Sequence, residues 1–147
     1  MRLLILASVL ALAALTLNVR EGNTSSALGC DIQTGWLQVS PPTPSGERWA
    51  MISNRGGAPL RYSWVDSGPA YTFIVTRSGR LRIAGPLYCA NGMGTRILGP
   101  RDSIVFRVDP NDAPHGKARL SVSLMPLDTH QWFIAISDDS LEYAPPN

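Results

Sequence analysis

The stretch Lys117-Ala118-Arg119-Leu120-Ser121-Val122-Ser123-Leu124-Met125 decides the fold class. Ala118, Leu120, Val122 and Leu124 fall on one parity, and Arg119, Ser121 and Ser123 on the other. Successive side chains of an extended chain point to opposite faces, so this alternation predicts a half-buried strand. A helix would spread the apolar residues Ala118, Leu120, Val122 and Leu124 around its circumference, whereas a strand gathers all four on one face.

The same period recurs outward in both directions. Ile104, Phe106 and Val108 alternate within Ser103–Asp109, and Leu60, Tyr62 and Trp64 within Pro59–Val65. Gly35–Ser40, Glu47–Asn54, Ala70–Arg77, Arg80–Ala84 and Gln131–Ser137 are further candidate strands. Between them lie Pro41–Gly46, Asn54–Gly57, Ser67–Pro69, Gly99–Asp102 and Asp109–Gly116, all rich in glycine, proline, asparagine or aspartate. Glycine supplies positive φ and proline presets it, so these segments stop strands and turn the chain. Ser78-Gly79 reads as a tight hairpin between two of the candidates. Roughly eight short strands at this spacing predict an all-β, antiparallel β-sandwich, with seven to nine strands as the working range.

Composition agrees with a single turn-rich domain. The chain has 147 residues, 13 glycines and 12 prolines, with 44% hydrophobic and only 16% charged residues. Part of the apolar fraction belongs to Leu3–Val19, a run of about 17 residues preceded by Arg2. A short basic region before an apolar run is the pattern of an export signal. Residues 1–27 are therefore expected to be an apolar helix serving as a signal peptide or an N-terminal membrane anchor, and 28–147 the exported β-domain. That location is periplasmic, secreted or membrane-anchored outside the cytoplasm. Removing 1–27 leaves eleven basic and ten acidic side chains, a net charge of +1. So small a charge gives no reason to expect a nucleic-acid partner.

Cys30 and Cys89 are the only cysteines. In an exported chain an even pair is expected to form a disulfide. Closing a loop of about 60 residues would stabilise the fold by roughly 4 kcal/mol through loop-closure entropy. A metal site would need further ligands at close spacing, and a redox pair a C-x-x-C spacing.

Ile52-Ser53-Asn54-Arg55-Gly56-Gly57-Ala58-Pro59-Leu60-Arg61-Tyr62 resembles the N-x-G-x-x-P-L strand–turn–strand of immunoglobulin-like bacterial domains. Leu98-Gly99-Pro100-Arg101-Asp102-Ser103-Ile104-Val105-Phe106-Arg107-Val108 resembles their L-x-P-G-[ED]-S-x-x-F-x-V strand, with Arg101 where glycine is usual. Tyr88-Cys89-Ala90-Asn91-Gly92-Met93-Gly94 is similar to a [WY]-C-G-x-G-x-G loop of small exported proteins of planctomycete-like bacteria. The order of these motifs also resembles the intracellular proteinase inhibitor family of bacilli. The resemblances imply an immunoglobulin-like sandwich and, from the last, protease inhibition as an alternative function.

No converging catalytic set is legible. There is no G-x-S-x-G elbow, no phosphate-binding or dinucleotide fingerprint, and no motif that calls for a cofactor. A small hydrolase would have to use His115 or His130 with nearby acids such as Asp128, Asp138, Asp139 or Glu142. Asp109, Asn111 and Asp112 superficially suggest calcium ligands, but the central glycine and the terminal glutamate of a calcium loop are missing. The expected function is thus non-enzymatic: binding of another protein or an envelope component, or structural support at the cell envelope. Binding would fall to loops, with Tyr88, Asn91 and Met93 in one and Asn111, Asp112 and His115 in another. Arg77, Arg80 and Arg82 around Ser78-Gly79 form a candidate anion patch, although charges on edge strands also discourage edge pairing. Trp36, Trp49, Trp64 and Trp132 are divided between core positions and exposed stacking surfaces.

Overall fold

Extended, alternating segments can bury their dry faces only by pairing and curling together, and the described residues do this with eleven strands. The computed structural model describes residues 31–66, 68–77, 80–86, 88, 92–138 and 140–143. The strands are β1 Asp31–Val39, β2 Arg48–Ser53, β3 Leu60–Val65, β4 Gly68–Pro69, β5 Thr72–Arg77, β6 Arg80–Ala84, β7 Met93–Leu98, β8 Ser103–Val108, β9 Gly116–Pro126, β10 Phe133–Ser137 and β11 Leu141–Tyr143. A 3-10 turn, Pro110–Asp112, precedes β9. The expected leader over 1–27 lies outside the described residues, and so do Cys30, Cys89 and Asn91. No described helix is long and apolar enough to cross a membrane.

β9 organises the sheet because it is long enough to pair with four strands. It meets β11 at residues 116–118, β5 at 119–121, β10 at 121–124 and β3 at 124–126. The main path runs β4-β3-β9-β10-β1-β2-β8, with β7 on β3 and β6 on β5. The result is an all-β, nearly closed, barrel-like sheet. Ala118, Leu120, Val122 and Leu124 are buried in its core, as their parity requires. Leu37, Ile52, Leu60 and Phe73 meet them there.

The wholly antiparallel expectation is corrected at one place. β1 runs parallel to β10 at Asp31–Gln33 and again at Leu37, and pairs antiparallel with β2 from Leu37 to Val39. The register shifts between Gln33 and Leu37, around Gly35 with φ +82°, where a side chain would be strained. Three strands also lie where turns or tails were expected. β4 falls within the Ser67–Pro69 turn, β11 near the C-terminus, and β7 across the expected loop at Met93.

The resembling motifs build a joint. Asn54 is 1% exposed and ties two turns together. Its Nδ2 donates to the carbonyls of Ala58 (2.9 Å), Leu98 (3.1 Å) and Gly99 (3.0 Å), while Oδ1 accepts from the Gly56 N–H (3.0 Å). Its backbone N–H donates to the Asp102 carbonyl, and its own carbonyl accepts from the Arg101 N–H. Across the joint, the Asp102 N–H donates to the Gly99 carbonyl. Arg101 has φ +64°, so the arginine occupies the left-handed conformation that glycine would take, in a turn opened by Pro100.

Candidate functional site

β8 pairs with β2 along one side, and β4 lies along the other without pairing. A Cβ added at Gly68 would sit 3.5 Å from the Phe106 Cβ, so the two strands pack closely here. Above this seam the surface opens into a cleft of about 490 Å³, within the usual range of binding pockets. Val65, Asp66, Gly68 and Pro69 form one wall, and Trp49, Val105, Phe106 and Arg107 the other. Tyr71, Tyr88, Asp109 and Asp112 close one end.

That end is built by hydrogen bonds between distant parts of the chain. Tyr71, just ahead of β5, donates its Oη proton to Asp112 Oδ2 at 2.6 Å and accepts the Asp109 N–H at 3.0 Å. Its own backbone N–H donates to Tyr88 Oη at 3.3 Å. The Tyr71 ring stacks on Phe106 and meets Phe73 and Tyr88 edge-on. Asp109 caps the 3-10 turn, with Oδ1 accepting from the Asn111 N–H and Nδ2, both at 2.9 Å. Asp112 is thereby held facing the tyrosines.

Burial pushes the Tyr71 phenol far above its ordinary value, and the hydrogen bond to Asp112 pushes it further. Tyr88 is also raised, first by burial and then by the Asp112 charge, partly offset by the Tyr71 N–H. Both tyrosines are therefore neutral hydrogen-bonding groups at ordinary pH. On the opposite wall Trp49 faces Arg107 directly across β2 and β8, and is 47% exposed. Arg107 is paired with Glu47 at 2.7 Å and reaches Asp109 at 3.8 Å.

Of the expected loop residues, the structure brings Tyr88 and Asp112 together in this cleft. Asn111 bonds back to Asp109 and is exposed, and His115 is exposed outside the cleft lining. Met93 is corrected from a loop residue to the first residue of β7, where it is 40% exposed. In the β5–β6 hairpin, positions 77 and 80 stand directly opposite, and exposed Arg82 lies across from Val75. The side chains of 77 and 80 and the hairpin tip lie outside the described set. Trp36 and Trp64 pack partly buried against the core, whereas Trp49 and Trp132 are exposed.

His130 is exposed, with φ +54°, and lines neither the cleft nor a second hollow of about 260 Å³. That hollow is lined by Leu37, Gln38, Val39, Ser137, Asp138 and Leu141, and its Asp138 carboxylate accepts the Gly35 N–H. Among the described residues there is no cluster of three or more metal-ligating side chains. Tyr71, Asp66 and Arg107 carry no local sequence signal that marks them as site residues. Tyr71 and Asp112 are 41 positions apart, and only the fold joins them.

No family model and no curated protein matches the chain. A solved structure described as Northeast Structural Genomics Consortium target SoR45 is similar at 14% identity with a TM-score of 0.40, covering 78% of this chain and 90% of that one.

Proposed function

We propose that this chain is an exported, non-enzymatic binding module whose ligand, another protein or an envelope component, occupies the cleft between β4 and β8. The observation that carries this reading is the convergence of Tyr88 and Asp112, from two separate segments, on one cleft beside exposed Trp49. Aromatic side chains on a half-open wall suit recognition, because they offer large contact area with little conformational entropy to lose. Both phenols are raised, and Asp112 is engaged by Tyr71. Export is supported by the apolar run Leu3–Val19 behind Arg2.

The immunoglobulin-like layering belongs to the same proposal. Its support is the register shift in β1 between Gln33 and Leu37, an irregularity of the kind at which a sheet bends. The test is affinity purification of the full chain from its native envelope and soluble fractions, read by mass spectrometry. Partners retained by the parent chain should be lost from Trp49→Ala and Tyr88→Ala. An unchanged partner set in both variants would overturn the site. Serine-protease inhibition that survives both changes would favour the inhibitor alternative instead.

A further inference from the structure

Resting on that reading, we propose that the cleft receives a basic side chain from an extended segment of a partner protein, with apolar neighbours of that side chain lying against Trp49 and Val105. Trp49 and Val105 line the cleft and are both exposed on the same outer face of the β2–β8 pair. An apolar flank in the partner would cover surface that is otherwise left to water.

The charge of the cleft selects what lies between those flanks. Among the described residues, Asp66, Asp109 and Asp112 line it against one cation, Arg107, and Glu47 takes up that cation at 2.7 Å. Asp109 is occupied by the 3-10 cap and lies 3.8 Å from Arg107. Asp112 spends one oxygen on the Tyr71 hydroxyl, which fixes the carboxylate in the cleft within electrostatic reach of Tyr88. A carboxylate sharing a groove with aromatic side chains favours an ammonium or guanidinium group over a neutral or anionic one. The chain makes the same kind of contact internally. The Arg96 guanidinium lies 3.7 Å from the Trp64 ring centroid, and Arg48 lies 5.0 Å from that of Tyr143.

The experiment uses the 15N-labelled full chain and three seven-residue peptides sharing one apolar frame, with lysine, norleucine or glutamate at the centre. The lysine peptide should move the resonances of Trp49, Tyr88 and Arg107 and bind about tenfold more tightly than the norleucine peptide. Asp112→Asn keeps an acceptor for Tyr71 but removes the charge, and should bring the lysine peptide down to the norleucine level. Equal binding of all three peptides at the same cleft resonances, or preference for glutamate, would overturn the charge inference and leave the cleft as a binding surface. A lysine peptide that moves only resonances away from the cleft, or moves none at millimolar concentration, would overturn both.

Discussion

Two joints in this molecule are made from polar side chains at turns, and they do different work. At the first, Asn54 is enclosed, and its side-chain amide and its own peptide bond to backbone groups of the neighbouring turns. At the second, Tyr71, Tyr88 and Asp112 bond to one another and to the backbone, but their far sides line an open cleft. The first has nothing left over for a ligand. The second is satisfied on one side and available on the other. A polar residue at a turn thus reads as scaffold or as site according to where its remaining hydrogen-bonding capacity points.

The comparison breaks most visibly at Asn54. Asn54→Ala strands the carbonyls of Ala58, Leu98 and Gly99 and the Gly56 N–H, and should cost about 3 kcal/mol in urea unfolding. Binding at the cleft should persist wherever the variant is folded. Tyr71→Phe tests the cleft's own share of stability. It removes the donor to Asp112 and the acceptor of the Asp109 N–H, and should cost about 1–2 kcal/mol.

That variant also carries a pH signature. The folded-state pKa of Tyr71 is raised above the unfolded value of 10.0, so the native state holds this proton more tightly. Its contribution is complete below pH 10 and is lost as the pH rises beyond that. Tyr62, Tyr88 and Tyr143 are raised as well, chiefly by burial, so the parent chain should lose stability in alkali. Tyr71→Phe should flatten that alkaline limb in unfolding curves taken between neutral pH and alkali.

A smaller effect of opposite sign is expected at Arg101. Releasing the left-handed strain with Arg101→Gly should raise stability by about 1 kcal/mol, measured by urea unfolding, with no change at the cleft. A loss of similar size is expected for Trp49→Ala. Its side chain is half exposed, so removing the covered half should cost about 1 kcal/mol.

The same contrast explains how far the sequence could be read. Alternation marked β9, β8 and β3 because each has one dry face, and the turn residues marked their ends. β7 escaped because Met93, Gly94, Thr95, Arg96 and Ile97 are all exposed, leaving no parity to detect. β4 has two residues and β11 three, too few for a period. The parallel turn of β1 against β10 depends on long-range packing that local propensity does not encode. The Asn54 joint was visible as a motif because its partners lie at fixed nearby positions in two short segments. The cleft was half visible: Tyr88 and Asp112 stood out as loop residues, but Tyr71 looked like an ordinary aromatic ahead of a strand. Its role exists only once β5, the 3-10 turn and β8 are brought together.

The central claim is that binding and scaffolding are separable, with binding at the cleft. The most direct measurement is the dissociation constant of a partner captured by the parent chain, determined for Trp49→Ala with the melting temperature taken on the same sample. Binding should weaken by about tenfold or more, with a melting shift of no more than a few degrees. An unchanged dissociation constant in a variant that melts with the parent chain would contradict it.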